Sequence, residues 1–162
     1  MRYHRRRGFA VSATMITIDP PSSLLDEVPG LSKSALTRFV NRARTLVELP
    51  GDVHILLTSD AEIKRLNRQF RHKNKATDIL SFPAALEAKG VAGDLAISLE
   101  TAARQAADHD HTLREELRIL ILHGLLHLAG EDHESDSGQM AARETALRQQ
   151  LKLRTGLIER AR

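Results

Sequence analysis

The sequence predicts a single α+β domain, in which a mixed sheet of about four strands packs with helices around a central, largely buried helix that carries an HxxxH pair. Strand-like and helix-like segments alternate along the chain without an internal repeat or a low-complexity linker. The 162 residues suffice for one domain. One segment near the C-terminal third is apolar almost all round, which is typical of a buried helix.

The first half of the chain contains two strand patterns and two helix patterns. Thr14–Ile18 alternates apolar and β-branched residues and precedes a Pro-Pro breaker, which predicts a strand. Ser32 is a candidate helix cap, and apolar residues then recur at helical spacing until a Pro-Gly pair stops the pattern. Asp52–Thr58 predicts a second strand. Ser59 then opens a short helix that ends in a basic, polar stretch.

The second half contains two more strands and three more helices. The strands are predicted at Ile79–Phe82 and Asp94–Ser98, with a glycine-containing loop between them. The helices are predicted at Leu99–Ala107, Thr112–Ala129 and Gln139–Leu153. The middle helix has the strongest pattern of the whole sequence. It should therefore lie at the centre of the domain.

Composition excludes several kinds of functional site. Cysteine is absent, so there can be no disulfide, thiolate metal site or cysteine nucleophile, and any metal must be held by histidine or carboxylate. Aromatic residues make up 3% of the chain, which argues against stacking platforms for single-stranded nucleic acid. We expect an aliphatic core to carry the fold.

The net charge of +3 comes from the first residues of the chain. Residues 1–14 contain four arginines and no acid, and we interpret them as a disordered extension, with 15–162 as the single domain. This segment lacks the apolar stretch of a secretory signal, and no apolar run reaches membrane-spanning length. We therefore expect a cytoplasmic protein without a membrane segment.

The apolar helix carries two histidines four residues apart, His123 and His127. This spacing places both rings on one helix face, with Cβ atoms about 5 to 6 Å apart. Gly130 favours the end of the helix, and a turn after it can bring His133 back towards the pair. Buried imidazoles need partners for their nitrogens. The pattern predicts a metal site of three histidines and a water, with zinc as the first choice and nickel, copper or iron as alternatives.

The spacing HxxxHxxGxxH is also that of the metzincin metallopeptidases. Those enzymes have a glutamate directly after the first histidine, which acts as the general base. Gly124 stands at that position here. The sequence therefore disfavours a peptidase of this kind.

Residues 123–133 read HGLLHLAGEDH and resemble the signature HGxLHLxGYDH of the YbeY family, the bacterial rRNA-maturation endoribonucleases. Glu131 stands where the family has tyrosine. Other blocks similar to the family occur in the family's order, namely Leu66-Asn67, Phe70-Arg71, Thr77–Pro83 and Gly93–Ser98. The resemblance extends from about Met15 to the C-terminus. Several unrelated motifs coincide in it.

The resemblance implies a zinc-dependent, single-strand-specific endoribonuclease that acts in 16S rRNA 3′-end maturation and ribosome quality control. It implies rRNA and the small ribosomal subunit as partners. His123, His127 and His133 carry over as catalytic residues and as ligands of one zinc ion, whose fourth ligand is water. Arg71 carries over as a catalytic and substrate-binding residue, and Lys73 as a substrate-binding residue.

The charge pattern around Arg71 agrees with these roles. Residues 64–75 contain six basic side chains and no acid, which suits RNA phosphates. Exposed charges are also common on solvated helix faces, so for Lys64, Arg65 and Arg68 both interpretations, RNA binding and a solvated charge, stay open. Arg71 and Lys73 lie where the helix ends and a loop begins. We expect Arg71 to offset negative charge that develops on the phosphoryl oxygens.

Two alternatives remain open at the level of sequence. One is a metallopeptidase-like or other small-substrate zinc hydrolase, with Glu131 or Glu134 as the base. The other is a ribosome-associated binding protein with a structural zinc, for which Asp132 or Asp136 would be the fourth ligand. His109 and His111, in a polar link between two helices, are expected to be solvated.

Overall fold

The computed structural model describes residues 12–72, 77–85, 87–130 and 137–153. These residues form four strands and five helices. The strands are β1 (Thr14–Ile18), β2 (Asp52–Thr58), β3 (Ile79–Pro83) and β4 (Val91–Ser98). The helices are α1 (Lys33–Val47), α2 (Asp60–Arg71), α3 (Leu99–Asp108), α4 (Leu113–Leu128) and α5 (Gln139–Gln150). Most of the predicted extension, residues 1–11, lies outside the described ranges.

The four described strands form one mixed sheet in the order β1-β2-β4-β3. The strands β1, β2 and β4 are parallel, and β3 pairs antiparallel with β4 at the edge. The predicted α+β class with a four-stranded mixed sheet is thereby confirmed. β4 begins at Val91, three residues before the predicted start at Asp94. The strand extends across Gly93, whose φ of +144° is a conformation that favours glycine.

Helix α4 is the centre of the core, as its apolar sequence predicted. Seven of its apolar residues have no exposed surface, namely Leu117, Ile119, Leu120, Ile121, Leu122, Leu125 and Leu126. Thr112 caps the helix by accepting a hydrogen bond from the Glu115 amide at 3.1 Å. Gly130 follows the last turn at φ +96°, a conformation that favours glycine.

Gly124 lets α4 approach the sheet closely. A Cβ atom at this position would lie 2.8 Å from side-chain carbons of both Ile79 and Leu95. Ile79 is on β3 and Leu95 on β4, so the last turns of α4 cross the edge of the sheet. The histidines on either side of Gly124 are therefore held on a rigid part of the fold.

The opposite face of the sheet carries α2 and a smaller core of Ile63, Leu80 and Ala96. Asp60, in the first turn of α2, accepts hydrogen bonds from Ser98 Oγ and Thr101 Oγ1. It also forms an ion pair with Arg104. Burial raises the pKa of Asp60. The three hydrogen bonds and the charge of Arg104 lower this pKa by more, so the net shift is downward. The network ties the start of α2 to the start of α3.

One prediction about the α3–α4 link was wrong. The side chain of His111 is fully buried, and its Nε2 lies 2.7 Å from Oε1 of the equally buried Glu116. The link turns back on α3, since the His111 amide donates to the carbonyl of Ala106. This turn places the imidazole beneath the first turns of α4. The polar sequence around His111 had predicted a solvent-exposed side chain.

None of the helices in the described ranges has the length and apolar character needed to cross a lipid bilayer.

Candidate metal centre

His123 and His127 meet at the C-terminal end of α4. Their Nε2 atoms are 3.1 Å apart, and their rings stand edge to face, with centroids 4.7 Å apart. Both residues are half-buried. The predicted sharing of one helix face therefore brings the two imidazole nitrogens to one point at the edge of the core.

A glutamate from the last helix orients His123. Nδ1 of His123 lies 3.0 Å from Oε1 of Glu144 on α5, and the other carboxylate oxygen accepts a 2.7 Å bond from Arg148. Burial raises the pKa of Glu144, but the hydrogen bond and charge of His123, with those of Arg148, lower it to about 2. An ionised acceptor at Nδ1 holds the proton there. Nε2 of His123 is then left with its lone pair towards His127.

The arrangement of the two histidines fits a metal ion. A tetrahedral zinc ion bound at about 2.0 to 2.1 Å holds two ligand nitrogens about 3.3 Å apart. The observed 3.1 Å between the Nε2 atoms is close to this separation. The carboxylate behind His123 is the usual outer partner of a metal-binding imidazole. His123, His127 and a third ligand could thus hold one zinc ion.

The third predicted ligand, His133, lies outside the described residues, so its role stays a prediction. Among the residues that the structure describes, no group of three side chains has the composition and proximity of a metal site. The acidic residues of the two alternatives, Glu131, Asp132, Glu134 and Asp136, also fall in the segment 131–136 that is not described.

Arg71 is held at the edge strand of the sheet. Its Nη2 donates to the backbone carbonyl of Ser81 on β3, and its guanidinium carbon stands 5.5 Å from the ring centroid of Phe82. Phe82 in turn packs edge to face with Phe70, at 5.7 Å between centroids. Because β3 is also the strand that packs on Gly124, Arg71 is anchored to the same strand as the histidine helix.

Other members of the basic stretch have different surroundings. Arg65 is paired with Glu62 of its own helix at 2.6 Å, which favours the simpler interpretation of a solvated charge. Lys73 lies outside the described residues, and its predicted role in substrate binding stays a prediction.

Glu144 is the site residue that sequence reasoning missed. It lies 21 positions after His123 in a helix read only as amphipathic. The available signal was its place on the buried side of that helix, four residues after Met140, which is also buried. An acid on an apolar helix face needs a partner, and this requirement could have pointed to a histidine.

The position of Gly124 bears on the peptidase alternative. This residue faces the sheet, and even a Cβ atom would meet Ile79 and Leu95. A glutamate at this position would point into the core and away from the two Nε2 atoms. The base of a metzincin therefore has no place in this packing.

Comparison with known proteins gives a consistent result. A family profile described as Endoribonuclease YbeY matches residues 25–152. A relative named Endoribonuclease YbeY from Koribacter versatilis is 53% identical over 137 residues, which cover 85% of this chain and 89% of the relative. A relative of the same name from Solibacter usitatus is 50% identical over 130 residues, covering 80% and 86%.

A plant relative and a solved structure extend the comparison. Endoribonuclease YBEY, chloroplastic, from Arabidopsis thaliana is 38% identical over 141 residues, which cover 82% of this chain and 24% of that longer protein. The solution structure of TM1509 from Thermotoga maritima has a TM-score of 0.57 and 27% sequence identity. It covers 85% of this chain and 88% of that chain.

Proposed function

The chain belongs to the YbeY family of endoribonucleases, and from this premise we propose that it is a zinc-dependent, single-strand-specific enzyme of 16S rRNA 3′-end maturation and ribosome quality control. Membership makes the chain a hydrolytic nuclease whose substrate is RNA. The proposal adds the metal, the rRNA target, the small ribosomal subunit as partner, the cytoplasm as location and the residues that act.

One observation carries the metal part of the proposal: the two Nε2 atoms of His123 and His127 lie 3.1 Å apart while Glu144 occupies the far nitrogen of His123. This arrangement brings two imidazole nitrogens to one point, and the Glu144 contact leaves Nε2 of His123 as an acceptor there. His133 would complete the ligand set. A zinc ion held there would supply a Lewis acid for a phosphoryl oxygen and would make hydroxide available near neutral pH.

The chain's own residues would hold and orient the phosphodiester. Arg71 uses one guanidinium nitrogen on the Ser81 carbonyl, which fixes the side chain and leaves its other donors for phosphoryl oxygens. Because the side chain is already anchored, less conformational entropy is lost when RNA binds. Arg71 would then offset the negative charge that develops on the phosphate. Lys73 would bind a neighbouring phosphate.

The decisive experiment measures zinc content and 16S rRNA 3′-end cleavage in the same preparations. His127→Ala should lose both bound zinc and cleavage, because the two remaining imidazoles of the proposed ligand set cannot hold the ion as three do. Arg71→Ala should keep its zinc and cleave poorly, because the arginine acts on substrate. His54→Ala is the matched control, since His54 bonds to Thr17 at 2.9 Å on β1 and β2. It should keep both properties.

Full zinc content and full cleavage in folded His127→Ala would overturn the metal part of the proposal. Normal cleavage by Arg71→Ala would remove this arginine from the site. Hydrolysis of a peptide substrate without RNA cleavage would favour the small-substrate zinc hydrolase instead.

A further inference from the structure

Helices α1 and α4 present four arginines on the side of α4 away from the histidine pair. Arg114 and Arg118 are four residues apart on α4, and Arg38 and Arg42 are four residues apart on α1, which packs against it. Each pair shares a helix face, with Cβ atoms about 5 to 6 Å apart. These four residues are called the arginine surface below.

Three of the four charges of this surface, those of Arg118, Arg114 and Arg42, act on one another. Burial lowers the pKa of Arg118, and the positive charges of Arg114 and Arg42 lower it further, while Glu115 acts in the opposite direction. Arg42 is exposed and Arg114 half-buried. The guanidiniums of two helices are therefore close enough to repel, and a bound anion would relieve this repulsion.

The arginine surface has no ion pair within the described part of the chain. None of its four side chains forms an ion pair with a described carboxylate, in contrast to Arg65, Arg104 and Arg148. Nε of Arg114 and Nε of Arg118 are buried and have no hydrogen-bond partner among the described residues. The guanidinium of Arg118 lies over the ring of Phe39, with its carbon 5.0 Å from the centroid.

The arginine surface is separate from the metal centre. Arg118 precedes His127 by nine residues, which is about two and a half helical turns and places the side chains on opposite sides of α4. A helix with its side chains is about 10 to 12 Å across, and the axial separation is about 13 Å. One phosphate cannot contact both places, so a ligand of this surface must be long or must bind independently.

We propose that the arginine surface binds the phosphodiester backbone of RNA at a distance from the bond that is cut. The inference rests on the proposed RNA substrate and adds a second contact region to it. Guanidinium groups pair with phosphate through two parallel hydrogen bonds. A protein partner would need an apolar centre in its interface, whereas the aromatic ring of this region, Phe39, is 3% exposed and lies beneath Arg118.

The test uses Arg42→Gln and the double variant Arg38→Gln/Arg42→Gln, because both side chains are exposed and outside the core. Lys152→Gln is the matched control, since it removes one exposed positive charge beyond α5. Binding is measured over a series of salt concentrations with a long 2′-O-methyl RNA, which resists cleavage. Cleavage is measured on an oligonucleotide short enough to occupy only the histidine side of α4.

The double variant should bind the long RNA about tenfold or more weakly, and the slope of log affinity against log salt should fall by about 1.4, or 0.7 for each lost phosphate contact. For Arg42→Gln the salt slope should fall by about half as much as in the double variant. Lys152→Gln should have the affinity and the salt slope of the wild type. All variants should cut the short oligonucleotide at the wild-type rate.

Wild-type affinity and salt slope in the double variant would overturn the inference and leave an acidic protein surface as the remaining partner class. Equal losses in Lys152→Gln would also overturn it, because the effect would then be general electrostatics. Failure of the wild-type protein to cut either RNA would contradict the proposed function, and the binding comparison would still decide the role of the arginine surface.

Discussion

Helix α4 has a histidine–glutamate pair at each end, and the two pairs differ in what they leave open. At its start, Nε2 of His111 lies 2.7 Å from Glu116, and both side chains are fully buried. At its end, Nδ1 of His123 lies 3.0 Å from Glu144, and the side chain of His123 is 14% exposed. The second nitrogen of His123 faces another imidazole, whereas the second nitrogen of His111 is buried without a hydrogen-bond partner in the described residues.

The difference shows that a carboxylate bound to one nitrogen of a histidine does not by itself make that histidine a candidate metal ligand. Both pairs satisfy a buried polar group, which is what folding requires. Only the pair at the end of α4 presents a ring nitrogen to a second imidazole near the surface. The same contact therefore satisfies only the core at the start of α4, whereas at the end of α4 it also orients an imidazole that faces a second imidazole.

The largest expected effect that separates the pairs is on zinc affinity. Glu144→Gln removes the anionic acceptor that fixes the His123 ring, and loss of such a partner lowers metal affinity or activity about 10- to 100-fold. Glu116→Gln should leave zinc affinity unchanged. Competition with a chelator measures the affinity, and cleavage of rRNA measures activity.

Glu144→Gln also removes the carboxylate that pairs with the buried Arg148, which is 2% exposed. Loss of one partner of a buried ion pair costs about 3 to 5 kcal/mol of stability. Glu144→Gln/Arg148→Met removes both charges and should recover much of this stability while zinc affinity stays low. Wild-type zinc affinity in the double variant would show that Glu144 serves the fold alone, and the contrast between the two pairs would disappear.

A smaller effect, on stability alone, is expected at the start of α4. His111→Leu removes a hydrogen-bond partner from the buried Glu116, which should lower the free energy of unfolding by about 1 to 3 kcal/mol. Urea denaturation measures this change. His109→Leu, at the half-buried neighbour that bonds the Gln105 carbonyl at 2.9 Å, should cost less. A lower cleavage rate per folded His111→Leu molecule would give the first pair a role in the reaction.

The smallest effect on stability is expected from a substitution at Gly124, which lies between the two site histidines in the sequence. In Gly124→Ala the added methyl group would crowd Ile79 and Leu95, each 2.8 Å from the new Cβ. The contacts are with the ends of flexible side chains, and alanine gains about 1 kcal/mol in helix propensity, which offsets much of the crowding. We expect a net loss of about 1 kcal/mol in unfolding free energy. Thermal denaturation can measure it.

A second variant tests the cause of that loss. Ile79→Val removes the methyl group that would meet the new side chain, so Gly124→Ala/Ile79→Val should be more stable than the sum of the two single changes predicts. Simple additivity would show that the sheet contact is not the reason for the glycine at this position.

Parts of the site were predictable because they depend on one helix. The four-residue spacing of His123 and His127 on an apolar segment was enough to place their rings together, and the end of α2 at Arg71 followed from the change to polar residues. Glu144 was not predictable in the same way, since it reaches His123 from a different helix. The Ser81 carbonyl that anchors Arg71 likewise belongs to another element.

His111 shows how local composition misleads. Its neighbours in sequence are acidic and polar, which indicated a solvated link. Burial was decided by the turn back onto Ala106 and by the nearby carboxylate of Glu116. A single neighbouring acceptor, available only after the helices pack, makes an internal position favourable for an imidazole.

By itself the sequence determined the α+β class, the central apolar helix and the pairing of two histidines on one of its faces. The reason is that helical and strand periods act within a few residues and are set by backbone geometry. Only the tertiary structure decided which histidine–glutamate pair is closed, which side of α4 carries arginines and which strand holds Arg71. Those relations join residues from separate elements, and they depend on how side chains of particular size and charge pack when distant segments meet.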